Sequence, residues 1–205
     1  MSAKAQRKGK VKRKTTETDI ALELNLDGTG KHDVKTGIPF FDHMLALFAR
    51  HGLFDLKVRA KGDIEVDFHH TVEDVGLSLG EALKKALKTK AGIKRYGRAD
   101  VPMMDALATV VLDLGGRPNL VYTVAKKSSG VSRRGRKDEF GMDLAEEFMK
   151  AFSNNAGADL HVMLHYGKDL HHSVEAVYKA LGRALAEAVA KDKRIKGAMS
   201  TKGKF

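Results

Sequence analysis

His69-His70-Thr71-Val72-Glu73-Asp74-Val75-Gly76-Leu77-Ser78-Leu79-Gly80-Glu81-Ala82-Leu83 is written a second time as His171-His172-Ser173-Val174-Glu175-Ala176-Val177-Tyr178-Lys179-Ala180-Leu181-Gly182-Arg183-Ala184-Leu185, with nine of fifteen positions identical. Similarity continues upstream. Asp55-Leu56-Lys57-Val58 aligns with Asp159-Leu160-His161-Val162, Asp42-His43-Met44 with Glu146-Glu147-Phe148, and Phe48 with Phe152. A repeat of about one hundred residues is too long for a solenoid unit and reads as a duplicated half-domain.

Working outward, each copy carries the same element signals. Ile20, Leu22, Leu24 and Leu26 alternate with polar neighbours, as a half-buried strand does. Asp27-Gly28-Thr29-Gly30 is turn chemistry, so residues 31–36 are expected to return as the second strand of a hairpin. Residues 40–51 have helical spacing and stop at Gly52. Strands are expected at 54–60 and, more briefly, at Ile64, Val66 and Phe68, before a helix over 70–88. In the second copy, strands are expected at 106–114 and 120–124, a helix at 143–152, a strand at 159–166 and a helix at 173–190. The expected class is α+β, built from duplicated β-β-α-β-α half-domains. Their helices pack between two small mixed sheets, because the helical face of each half needs cover. Residues 1–11 read as a basic flexible tail, 12–97 and 98–191 as the two repeats, and 192–205 as a C-terminal tail, all within one compact domain.

Composition narrows the chemistry. There is no cysteine, so any metal must be held by nitrogen and oxygen. No run of about 18 apolar residues is present, so no membrane span is expected. The basic N-terminus lacks an apolar stretch after it and is not a secretory signal; a cytoplasmic location is expected. A net charge of +11 invites nucleic-acid binding. The excess sits in residues 4–14, 133–137 and 191–204 with no nucleic-acid motif beside it, so solvated arms are expected instead.

A His-His-x-x-Glu helix start has a definite geometry. His69 and Glu73 share a face, while His70 points about 100° away. Two adjacent histidines on a regular helix therefore suit two different ions. The duplication supplies His171, His172 and Glu175, and the earlier helix of each half offers His43 and its counterpart Glu147. Eight nitrogen and oxygen ligands fit two six-coordinate ions with open positions, which favours Mn²⁺ or a similar first-row metal over structural zinc. His32, His51, His161 and His165 have no repeated partner and read as ordinary histidines.

At these residues the chain resembles the imidazoleglycerol-phosphate dehydratases. The matching segments are Arg13-Lys14-Thr15-Thr16-Glu17-Thr18, Phe41-Asp42-His43-Met44-Leu45, Ala49-Arg50-His51-Gly52-Leu53-Phe54-Asp55 and His69 to Gly76. Further on they are Gly92-Ile93-Lys94-Arg95-Tyr96-Gly97, Gly116-Arg117-Pro118, Asn155-Ala156-Gly157, the second His-His-x-x-Glu and Ser200-Thr201-Lys202-Gly203. A histidine often stands in that family where this chain has Glu147; glutamate also ligates through oxygen.

The resemblance implies a hydro-lyase of histidine biosynthesis, removing water from imidazoleglycerol phosphate to give imidazole acetol phosphate. It also implies a homo-oligomer of 24 chains with two manganese ions in each intersubunit active site. Glu17 would be the carboxylate that handles the carbon-bound proton; on the residues alone it is a strand-edge glutamate. Arg95, Arg117, Lys179, Ser200 and Lys202 would bind the substrate and its phosphate. A non-catalytic metal-assembled scaffold would need neither Glu17 nor those cations. A nucleic-acid binder would show salt-dependent affinity independent of metal.

Overall fold

The computed structural model describes residues 6–125, 128 and 139–201. The elements run β1 (Lys8–Lys14), β2 (Thr18–Asn25), β3 (His32–Lys35), α1 (Pro39–Gly52), β4 (Asp55–Gly62) and α2 (His69–Leu87). The second half follows with β5 (Tyr96–Met103), β6 (Ala106–Asp113), β7 (Asn119–Val124), α3 (Met142–Ala156), β8 (Asp159–Tyr166) and α4 (Leu170–Val189). Each half forms a four-stranded mixed sheet, ordered β1-β2-β4-β3 and β5-β6-β8-β7. The α+β class and the duplication stand as expected, but each half is β-β-β-α-β-α, one strand longer than the sequence pattern indicated.

The extra strands are β1 and β5, both at sheet edges. Lys8–Lys14 form a strand rather than part of a loose tail. Only Gly9 and Val11 of that strand are buried, so its lysines mask the alternation. In β5 the inward residues are Gly97, Ala99 and Val101, too small to give a clear apolar signal. Pro102 is tolerated there because an edge strand needs fewer ladder donors.

Two further expectations change. β3 does not return as a hairpin on β2; it pairs in parallel with β4, which lies between them. Parallel neighbours need a long crossover, and α1 is that crossover; α3 does the same between β7 and β8. Residues 64–68 form no strand. Asp63 and Asp67 spend their carboxylates locally, on the His70 ring and the His69 backbone N–H, and Val66 N–H bonds back to Asp63 carbonyl in a turn.

The helices lie between the sheets, as expected. α2 covers β1 and β2, α4 covers β5 and β6, and the halves join by packing α1 on α4 and α2 on α3. Phe41, Phe48, Phe148, Phe152 and Tyr178 are fully buried at this join. The repeated glycine of the two long helices has a steric reason. A Cβ at Gly80 would come within 2.7 Å of Phe152 O on α3, and one at Gly182 within 2.5 Å of Phe48 O on α1. This cross-half packing decides which ligands meet.

Candidate metal and active site

Three of the eight ligand candidates converge in one chain. His43 on α1 and His171 and Glu175 on α4 offer donor atoms that all lie within 4.8 Å of one another. Glu175 Oε2 lies 3.1 Å from His171 Nε2 and 3.6 Å from His43 Nε2. The two histidine side chains are about half exposed while Glu175 is buried, so the cluster is open on its imidazole side. Burial raises the Glu175 carboxyl, but the hydrogen bond and charge of Lys179 outweigh it and hold the group below the usual carboxylate range. Lys179 Nζ is 2.5 Å from Glu175 Oε1.

His43 therefore joins the α4 of the other half, because α1 packs there. The related set is less complete. On α2, His69 Nε2 lies 3.5 Å from Glu73 Oε2. Glu147 is on α3, the helix that packs on α2, yet its carboxylate pairs with Lys150 at 3.2 Å. Among the described residues, Glu147 completes no three-donor group with His69 and Glu73.

The second histidine of each pair turns away, as the helical angle requires. Their rings stand 6.0 Å from the first histidine's at His69–His70 and 6.2 Å at His171–His172. Each has its Nδ1 against a carboxylate, His70 on Asp63 at 3.0 Å and His172 on Asp105 at 2.6 Å. The Asp63 hydrogen bond raises the His70 pKa, and the His172 hydrogen bond holds Asp105 at about 2. A ring held at Nδ1 keeps Nε2 for a metal. Neither aspartate was named from the sequence; an acid lying outside the repeated segment carried no signal.

Glu17 sits in the turn between β1 and β2, half exposed, with Oε1 3.8 Å from His70 Nε2. The turn is fixed by Thr15 Oγ1, which accepts from the backbone N–H of Glu17 and of Thr18. Thr18 Oγ1 in turn donates to the buried Asp74 at 2.5 Å, and Arg13 Nε donates to the other oxygen of Asp74 at 2.8 Å. Asp74 thus docks the Glu17 turn on α2. Its repeat counterpart is Ala176, and that asymmetry was the available clue.

The phosphate candidates lie elsewhere. Arg95 is clamped on Asp113 by two hydrogen bonds and donates to Met199 O at 2.7 Å, so it anchors the C-terminal segment that carries Ser200. Arg117 is exposed in the β6–β7 connection, two residues beyond Gly115, which abuts Arg95. Lys179 instead faces Glu175, and Lys202 lies outside the described residues. Arg95 N–H bonds to Ala188 O. From His171 to Ala188 is seventeen residues of α4, about 25 Å at helical rise. No helix is long and apolar enough to cross a membrane among the described residues.

The family model "Imidazoleglycerol-phosphate dehydratase" matches residues 36–185. A relative of that name from Clostridium botulinum is 58% identical over 194 residues, covering 95% of this chain and 96% of the relative. Another, from Acetivibrio thermocellus, is 55% identical over 197 residues, covering 96% and 98%. The solved imidazoleglycerol-phosphate dehydratase of Staphylococcus aureus superimposes with a TM-score of 0.77 at 32% identity, covering 90% of this chain and 99% of that one. With its fold, its paired histidine helices and its relatives in agreement, the chain belongs to the imidazoleglycerol-phosphate dehydratase family.

Proposed function

We propose that this hydro-lyase dehydrates imidazoleglycerol phosphate to imidazole acetol phosphate with two Mn²⁺ ions per active site, in an oligomer whose sites lie between subunits. The convergence of His43, His171 and Glu175 carries the metal reading. An all-nitrogen-and-oxygen set with two open imidazoles suits a first-row ion. His69, Glu73 and Glu147 would contribute to the related set, and His70 and His172, which point away from their neighbours, would reach a second ion. A bound ion would supply Lewis-acid polarisation of the substrate's imidazole and hydroxyl oxygen.

The protein's own groups do the rest. Glu17 faces the Nε2 side of His70 and is positioned to take the carbon-bound proton. The hydroxyl on the neighbouring carbon leaves as water with a returned proton, and the enol formed becomes the ketone. Arg117, Ser200 and Lys202 would hold the phosphate, with Arg95 fixing the C-terminal segment through Met199 O.

Distance supports the oligomer, taken as a 24-mer. His70 to Leu87 spans seventeen residues of α2, again about 25 Å, and just past its far end Lys90 Nζ donates to Leu114 O, whose own N–H bonds to Arg95 O. Both His-His-x-x-Glu starts are therefore a helix length from Arg95 and Ser200 in the same chain. One small substrate cannot touch both ends of one subunit, so with both sets on the substrate a second subunit would supply one of them. Sedimentation before and after metal removal tests the assembly. A discrete large oligomer is expected, and a monomer active on the substrate would contradict it.

A further inference from the structure

The duplicated halves handle their second histidine differently. Asn25 pairs with Asp55 in the first sheet and Asp113 with Asp159 in the second. Counting back eight residues from Asn25 and from Asp113 reaches Glu17 and Asp105, so these acids occupy the same turn in the two halves. Gly62 and Gly167 are also counterparts. A Cβ on Gly62 would meet Thr71 Oγ1 and Thr18 Cγ2, and one on Gly167 would meet the repeat partners Ser173 Oγ and Ala106 Cβ. The residue after the glycine is Asp63 in one half and Lys168 in the other.

In the first half, the post-glycine Asp63 takes His70 Nδ1, and the turn acid Glu17 faces His70 Nε2. In the second half the post-glycine residue is an exposed lysine. Here the turn acid Asp105 has crossed to the other side of the ring and takes His172 Nδ1. Its second oxygen, Oδ2, accepts the backbone N–H of Lys168 at 3.0 Å and of Asp169 at 2.9 Å.

We propose that Asp105 is a positioning residue that fixes His172 for metal through Nε2, doing in the second half what Asp63 does in the first, and that this exchange of places is what leaves Glu17 alone free for chemistry. The duplicated turn thus yields one catalytic and one positioning carboxylate. The proposal rests on the metal reading above. It follows from general second-shell chemistry: a carboxylate on the rear N–H fixes the tautomer and raises ligand basicity.

Asp105→Asn separates this role from a merely structural one. The amide oxygen can still accept the Lys168 and Asp169 N–H groups, which keeps the loop. The NH₂ then faces His172 Nδ1 and forces the ring proton onto Nε2, the atom needed for metal. The experiment measures Mn²⁺ affinity of the metal-stripped protein by competition with a chromophoric chelator, with thermal unfolding of each stripped variant as a fold control. Asp105→Asn and Asp63→Ala are expected to lose about 10- to 100-fold in affinity. Glu17→Gln and Lys168→Ala, at the counterpart positions, are expected to bind as wild type does. Wild-type affinity in Asp105→Asn, or lost affinity in Glu17→Gln, overturns the proposal while leaving the metal reading in place. Wild-type protein that takes up no Mn²⁺ overturns the metal reading and this proposal with it.

Discussion

Glu17 Oε1 stands 3.8 Å from His70 Nε2, on the face of the ring that Asp63 leaves free. In the proposed mechanism that relationship would make Glu17 a proton-transfer group beside a metal position rather than a ligand's rear support. Glu17→Gln keeps size and hydrogen bonding and removes the ionisable carboxylate. Turnover is expected to fall by about 10² to 10⁴, with metal content and analogue binding retained. Single-turnover assays beside metal analysis check this, and near-normal turnover with full metal would return Glu17 to an ordinary strand-end role.

Asp74 is expected to act on Glu17 at a distance. Asp74→Ala orphans the Thr18 hydroxyl and the Arg13 guanidinium, which both now donate to it. The loss is about 1–3 kcal/mol, the cost of leaving such a group without its partner. Denaturant unfolding measures it. Turnover should drop as well, because the turn carrying Glu17 loses its dock, whereas Asp74→Asn retains an acceptor for Thr18 and should be milder.

Complementation tests the intersubunit site. Glu17→Gln and Arg117→Ala each disable one end of the subunit. Mixed in equal amounts and reassembled, about one quarter of the sites should pair an intact Glu17 with an intact Arg117 from another chain, the product of two one-half chances in a heterologous interface. Activity regained above either parent is the expected outcome. No recovery in verified mixed oligomers would place both residues' contributions in one chain.

Asp55 gives a pH prediction. Backbone N–H groups of Thr29 and Lys31, with the Asn25 amide, hold its carboxyl below the usual value, Thr29 contributing most. A folded value below the unfolded one gives stability that is full above the ordinary carboxylate range. That stability is lost as pH falls through the folded value. Asp55→Asn should therefore flatten the acid limb of stability in metal-stripped protein. Acid titration of unfolding in both forms decides it, and identical acid limbs would contradict the assignment.

The duplication made most of the fold legible, because helices α2 and α4 repeat many of their buried positions, Val72, Val75, Leu79, Gly80, Ala82 and Leu83 recurring as Val174, Val177, Leu181, Gly182, Ala184 and Leu185. What escaped were edge strands β1 and β5, whose inward positions, Gly9, Val11, Gly97, Ala99 and Val101, include only one large apolar residue per strand. The parallel placement of β3 was hidden because local turn chemistry at Asp27–Gly30 says nothing of a strand inserted later. In the site, the repeated histidines were readable from spacing alone. The pairing of His43 with the other half depends on α1 crossing to α4, which is a tertiary fact. Asp63 and Asp105 lie outside the repeated segment, and Asp74 and Asp105 act on residues far away in sequence, so only the Asp74–Ala176 asymmetry hinted at any of the three.

Activity on imidazoleglycerol phosphate after chelation tests most directly that dehydration depends on metal. Protein stripped by chelator and freed of it should show no turnover, and Mn²⁺ added back should restore it, because the clustered imidazoles and Glu175 are close enough to hold one ion. Undiminished turnover in protein verified to be metal-free would contradict the central claim.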